Sequence, residues 1–209
     1  MKIDHIKPYE IEKRSFEIIG EILAESGIQL DPDKESVIKR VIHTTADFDH
    51  AKQMYFSENV VSIFCTALKN GADIVTDTQM AKSGINKSKL ASYGGTVHCF
   101  ISDEDVAGEA KRRGITRAAV AMEKAQKIKK PLIFALGNAP TALIHICELV
   151  QQGKLSPVGI IGVPVGFVNV IESKNLLISS GIPSIATIGR KGGSNIAAAI
   201  CNALLYQLD

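Results

Sequence analysis

PLIFALGNAPTALIHICELV, Pro131 to Val150, decides the architecture open to this 209-residue chain. A short apolar run, PLIFAL, breaks at a turn rich in small residues, GNAPT, and passes into a helical stretch of about a dozen residues. This is a strand, a tight loop and a helix. The same rhythm starts after Gly71 and repeats: ADIVT (72–76), TVHCFI (96–101), PVGIIGV (157–163) and PSIATI (183–188) each alternate with helical sequence. Such alternation marks βα units in a parallel sheet. All five runs are too short and too apolar for half-exposed antiparallel strands, so helices must cover both faces. The expected fold is α/β, a three-layer doubly wound parallel sheet, with ligands bound outside the C-terminal strand ends.

The sequence ahead of Gly71 reads as helical. Residues 8–26 place Ile11, Ser15, Ile18, Ile19, Ile22 and Leu23 on one face, with Pro8 in the first turn and Gly27 at the C-terminal cap. Asp31-Pro32 starts a second helix that buries Val37, Ile38, Val41 and Ile42, with His43 directly after it. Ser57 is expected to cap a third helix ending at Gly71.

Composition narrows the class. Apolar residues are 45% of the chain and charged residues 22%, as in a globular protein, and one domain spanning residues 1–209 is expected. With 24 basic and 22 acidic residues the net charge is +2, and the basic clusters Lys111-Arg112-Arg113 and Lys127, Lys129 and Lys130 fall at helix ends. Neither a nucleic-acid partner nor base stacking is expected from so balanced a chain with 5% aromatics and no Trp. Cys65, Cys99, Cys147 and Cys201 lack CxxC spacing and sit in apolar sequence, which suits buried reduced thiols. No apolar run reaches membrane-spanning length and the N-terminus has no signal-peptide core, so a cytoplasmic location is expected.

The last three strand ends run into GNAPT (137–141), GVPVGF (162–167) and GRKGGSN (189–195). Glycine allows close backbone approach and the next helix offers free N–H groups, so oxyanions are favoured there. Tight βα turns need glycine in any case, and both readings stand. None of the loops is GxGxxG or a Walker motif, which argues against nucleotides. Arg190-Lys191 adds full charge, and arginine fits carboxylates bidentately. Arg117 lies just after a helix start at Thr116, where a cation is electrostatically misplaced, and so is a candidate for function.

His43 heads HTTADFD, which packs an imidazole, two hydroxyls and two carboxylates into seven residues. It reads as a helix-end cation, as a satisfied half-buried side chain, as part of a metal site with Asp47, Asp49 or His50, or as a proton donor near neutral pH. HExxH is missing. With no Ser-His-Asp or Cys-His signature, proton transfer is the chemistry left.

Six segments carry a resemblance: EKRSF (12–16), RVIHTTADFD (40–49), TDTQM (76–80), GNAPTAL (137–143), VGFVNVIESK (165–174) and GRKGGS (189–194). Taken in order along nearly the whole chain, they resemble the precorrin-8X and cobalt-precorrin-8 methylmutases of vitamin B12 synthesis. The resemblance implies a flavodoxin-like fold, a homodimer with the ligand near the subunit interface, and an isomerase that moves a methyl group from C-11 to C-12 of a corrin-type macrocycle. It implies no cofactor, methyl donor or protein-bound metal; the substrate is a corrinoid with or without cobalt. On the family's pattern His43 is the acid/base, Ser15 binds substrate and Arg117 lies near the macrocycle. Arg40, Thr78, Asn138, Arg190, Gly192, Gly193 and Ser194, inside the matching segments, complete the expected pocket, with Gln79 at its margin. The competing class is a non-catalytic tetrapyrrole or anion-binding protein built on the same loops.

Overall fold

The computed structural model describes residues 6–208. A 3-10 turn at Pro8–Glu10 leads into α1 (Ile11–Glu25), followed by α2 (Pro32–Thr45), α3 (His50–Gln53), β1 (Met54–Phe56), α4 (Val60–Lys69), β2 (Asp73–Thr76), α5 (Gln79–Gly84), α6 (Lys87–Ser92) and β3 (Val97–His98). The second half runs α7 (Glu104–Arg113), α8 (Arg117–Lys124), β4 (Leu132–Leu136), α9 (Pro140–Gln151), β5 (Gly159–Gly162), α10 (Val170–Ser179), β6 (Ser184–Thr187) and α11 (Ser194–Leu205).

The strands form one sheet in the order β1-β6-β5-β4-β2-β3. All pairings are parallel except that of β1 with β6. Counting the five parallel strands alone, the order is the 2-1-3-4-5 of flavodoxin-like folds, and the direction of winding reverses between β2 and β4. Successive strand residues enter opposite cores. Ile74, Ile133, Ala135, Ile161 and Ile185 pack with residues of α2, α4, α5 and α11, whereas Val75, Phe134, Leu136, Ile160 and Ala186 pack with α7, α8, α9 and α10. Two-sided burial is why these runs carry no polar alternation. A smaller cluster of Ile19, Leu23, Ile38 and Ile42 fastens α1 to the outside of α2.

Several expectations shift in detail. A sixth strand, β1, joins the edge of the sheet, and TVHCFI contributes the two residues of β3. His43 lies inside α2, which continues to Thr45 and turns at Ala46, in the left-handed region with φ 54°. Ser57 does not cap the third helix with its side chain: α4 begins at Val60 behind Asn59, and the Ser57 hydroxyl accepts from Ser184 N at 2.8 Å. On α1, Ile11 and Ile18 are exposed, because α2 covers just the Ile19 and Leu23 side. Cys99, Cys147 and Cys201 are buried free thiols and Cys65 is half-buried.

One glycine shows how closely the sheet is covered. A Cβ at Gly159, at the start of β5, would sit 2.3 Å from Pro183 O and 2.4 Å from the ring of Phe64. Gly108, on the exposed side of α7, has nothing within 4 Å. Gly159→Ala is therefore expected to destabilise the protein by about 1–3 kcal/mol through overpacking. Gly108→Ala should stabilise it by about 0.5–1 kcal/mol through helix propensity. Denaturant unfolding of the two variants checks the opposite signs.

Candidate functional site

The loops after β4, β5 and β6 bond to one another at the C-terminal edge of the sheet. Val165 N donates to Gly137 O at 3.3 Å, Gly193 N to Val163 O at 2.9 Å, and Gly166 N to Arg190 O at 3.3 Å. A Cβ on Gly137 would lie 2.5 Å from the Ser194 Cα, and one on Gly192 would lie 2.2 Å from Val163 O. Gly137 and Gly192 thus serve loop-to-loop packing. Gly193, at φ 148°, meets a conformational demand as well.

Beneath this platform lies Asp77, directly after β2 and 1% exposed. Its carboxylate accepts the N–H groups of Gly137 at 3.0 Å, Asn138 at 2.8 Å and Ala139 at 2.7 Å. The expectation that GNAPT offers its backbone donors to a ligand is corrected here, since those three donors are already taken. Burial pushes the Asp77 carboxyl above its ordinary pKa, and the three N–H bonds pull against that rise. With three donors converging on it, the group is held as the anion. The exposed Asn138 side chain remains available. Thr78 follows, capping α5 through Ala81 N at 3.1 Å and sharing a 2.8 Å hydrogen bond with the Ser194 hydroxyl. Gln79 Nε2 donates weakly to Ser102 Oγ at 3.4 Å.

A second anchor is Lys174 of α10, 1% exposed. Its ammonium donates to Gly189 O at 2.9 Å and Lys191 O at 2.8 Å. Burial lowers its pKa to about 8. The neighbouring Lys191 reaches away from the loop to Asp47 at 2.7 Å and Asp49 at 2.6 Å, so its pKa rises and that of Asp47 falls. The two carboxylates that a metal site beside His43 would use are thereby bound by an ammonium. They also draw the end of α2 up to the GRKGGS loop.

His43 is exposed one turn before Asp47, its ring stacked on Phe16 with centroids 5.3 Å apart and planes at 22°. Phe16 belongs to EKRSF, so two of the matching segments meet at the imidazole. Ser15, beside it, is half-buried and its hydroxyl donates back to Ile11 O at 2.9 Å. His50 is of another kind: buried, neutral because burial lowers its pKa, and with Nδ1 lacking a partner among the described residues. Arg40 does not face the loops. It pairs with Glu12 and lies 4.7 Å over Phe16 and 5.2 Å over Tyr206, at the far end of α11.

Arg117 is the exposed first residue of α8, next to Thr116, whose hydroxyl donates at 3.0 Å to Thr141 of GNAPT. Neither Arg117 nor Arg190 pairs with a carboxylate among the described residues. The loops and helix starts at this edge also expose Met80, Val165, Phe167, Val168 and Ile188; Phe167 and Val168 are 84% and 78% exposed. Exposed apolar side chains together with guanidinium groups that have no carboxylate partner among the described residues suit a large flat ligand with carboxylate arms. By contrast, a cavity of about 740 Å³ lined by Asp31, Lys34, Phe56 and Ser57 lies on the opposite edge, beside the start of β6. Asp77 and Lys174 were not singled out from sequence, although TDTQM and VGFVNVIESK contain them; an acid at a strand end and a lysine closing an apolar helix turn were the available signals.

Comparison with known proteins shows the family and the fold. The family model described as Precorrin-8X methylmutase matches residues 10–207. The cobalt-precorrin-8 methylmutase of Salmonella typhimurium is 47% identical over 206 residues, covering 97% of this chain and 96% of the relative. The precorrin-8X methylmutase of Pseudomonas aeruginosa is 37% identical over 210 residues, covering 99% of this chain and 100% of its own. The crystal structure of precorrin-8X methylmutase from Thermus thermophilus superposes with a TM-score of 0.85 at 34% identity, covering 95% of this chain and 97% of that one.

The Asp77 carboxylate generates a clear expectation. Asp77→Ala leaves three buried N–H groups without an acceptor, and the loss is expected to exceed about 3 kcal/mol. Denaturant unfolding measures it; a loss below 1 kcal/mol would mean that the GNAPT loop holds its shape unaided.

Proposed function

The chain belongs to the precorrin-8X methylmutase family, and on that premise we propose that it moves a methyl group from C-11 to C-12 of precorrin-8X or its cobalt form, with His43 as the acid. It is a methyl-shifting isomerase of cobalamin biosynthesis. The observation that carries the catalytic assignment is the placement of His43: a solvent-accessible imidazole, propped by Phe16, at the helix end that Lys191 ties to the loops. The whole chain acts as one methylmutase domain.

Migration of a methyl group around a conjugated ring needs no donor, since the same bond electrons are redistributed and substrate and product are isomers. His43 lends a proton to the ring periphery as the methyl shifts and recovers it afterwards, and Arg117 steadies the charge. Positioned acid catalysis supplies about 10²- to 10⁴-fold, and holding the macrocycle near the reactive geometry supplies the rest. The acetate and propionate arms lie against Arg190, Asn138 and the Gly192-Gly193-Ser194 turn, with Thr78 buttressing Ser194. Ser15 contacts substrate by turning its hydroxyl from Ile11 O. Arg40 acts through Phe16, as a brace for the His43 ring. The exposed apolar residues of the strand-end edge take the macrocycle and a second copy of the chain, in a cytoplasmic homodimer.

His43→Ala is expected to fold and bind product almost normally while losing about 10²-fold or more of its turnover. Rate and melting temperature measured on one sample check this; full turnover would move the proton source elsewhere. With the unsubstituted protein and the precursor corrinoid, absorption changes should continue past one equivalent. A single stoichiometric shift would instead indicate a binding protein.

Arg190→Ala and Arg117→Ala should each weaken corrinoid binding by more than the roughly 1 kcal/mol of a neutral hydrogen bond, with the fold intact. Titration followed by absorbance measures this. Sedimentation checks the dimer, and an active monomer at micromolar concentration would contradict it.

A further inference from the structure

His50 is buried where an added proton would find no partner. The ring is 1% exposed at the start of α3, and its Nδ1 has no hydrogen-bond partner among the described residues. Its Nε2 faces Asp47 Oδ2 at 3.9 Å, too far for a hydrogen bond, and that same oxygen takes the Lys191 ammonium at 2.7 Å. One carboxylate oxygen thus stands between two donors, and the lysine holds it. The charged groups acting on the imidazole are Asp47 and Asp49 from the turn after α2, Lys191 from the GRKGGS loop and Lys174 from α10; Lys52, on α3 itself, is exposed. Two carboxylates and two ammoniums balance while the ring is neutral. A proton added in place would break that balance and leave an Nδ1–H without an acceptor in a site closed to water.

The proton therefore needs the segment to open, and the segment is lightly held. α3 is a single turn of four residues that runs straight into β1, whose three half-buried residues pair with β6 on one side only, at the edge of the sheet. The ladder is flanked by two further bonds, Ile188 N to Gln53 O at 2.6 Å and Ser57 N to Ser184 O at 2.9 Å. Lifting α3 and β1 breaks these contacts and leaves the five parallel strands paired. We propose that His50 is an acid-operated release: protonation of its ring frees α3 and β1 from β6 and turns Asp47 from Lys191 to the imidazolium, so that the end of α2 is untied from the GRKGGS loop. That the untying lowers turnover rests on the function proposed above; the opening itself does not.

The pH window follows from the two environments of the ring. Burial lowers the folded pKa of His50; the two ammoniums add to that fall and the two carboxylates oppose it. In the opened segment the imidazole titrates at its ordinary value of about 6.5. Its contribution to holding the segment shut is therefore complete above about pH 6.5 and is lost as the pH falls from there through the folded value. The open fraction rises by as much as about tenfold between pH 7.5 and 5.5. Lys191, with its pKa raised, and Asp47, with its pKa lowered, keep their charges over that range.

Amide hydrogen exchange of the whole chain, corrected for the intrinsic rate at each pH, reads the opening. In the unsubstituted protein the Ile188 and Ser57 amides should lose about threefold to tenfold of their protection between pH 7.5 and 5.5, while the Phe134 amide in β4 keeps its own. His50→Phe, which keeps a ring but takes no proton, should hold Ile188 and Ser57 equally well at both pH values. If that variant does not fold, the imidazole nitrogen resonances of His50 in the unsubstituted protein take its place, and they should titrate in step with the loss at Ile188. Unchanged protection in the unsubstituted protein, the same loss in His50→Phe, an equal loss at Phe134, or a His50 titration out of step with exchange would overturn the proposal. Turnover of the precursor corrinoid is followed in parallel. A loss at pH 5.5 that His50→Phe relieves supports the link to catalysis, and opening without that relief overturns the link and leaves the release standing. No turnover at any pH overturns the methylmutase reading alone.

Discussion

The carboxylate of Asp77 is the interaction on which the rest of the site depends. It stands at the end of β2, where the order of strands reverses, and gathers the backbone of the next strand's loop onto itself. Splaying of β2 and β4 at a switch point opens a crevice. Here a fixed anion occupies its floor. The GNAPT loop, so pinned, becomes the surface against which Gly193 and Ser194 pack, and through Gly137 O it receives Val165. An anion at this depth is tolerated because three N–H dipoles replace its water.

The platform above that anion divides its labour. Three N–H groups of the first loop are taken by Asp77, whereas the carbonyls of the last loop are held by Lys174 and by Gly166 N. The acidic pair Asp47 and Asp49, which would repel an anionic ligand, is bound by the one ammonium of Lys191. Apolar side chains of the β5 loop, Val165, Phe167 and Val168, are exposed beside that last loop.

Much of this was legible in the sequence because it is local. Short runs such as PLIFAL and PVGIIGV announce strands buried on both sides, and glycine-bearing turns announce the ligand edge, wherever the rest of the chain goes. What escaped depends on partners far away in sequence. β1 is three half-buried residues, Met54–Phe56, that become a strand by pairing with Ile185–Thr187. Ser57 reads as a cap until Ser184 N claims its hydroxyl, and Ile11 and Ile18 read as buried until α2 proves to cover the neighbouring side. Arg40, a pocket candidate from its segment, meets Glu12, Phe16 and Tyr206, contacts that nothing local to the segment announces. His43 stands out as a candidate in the sequence because an imidazole beside hydroxyls and carboxylates carries its own signal; its stacking on Phe16 carries none.

The antiparallel pairing of β1 with β6 also has a bearing on how the molecule comes into being. The segment bearing His43 is made early, and its partners, β6, the GRKGGS loop and α11, are made last; the bond from Lys191 to Asp47 closes a loop of 144 residues. On the ribosome, then, the middle of the sheet can pair while the N-terminal helices wait. Such non-local closure is slow and entropically late. A nascent or truncated chain carries the end of α2 without the GRKGGS loop, so Asp47 and Asp49 gain their ammonium partner only as synthesis nears completion.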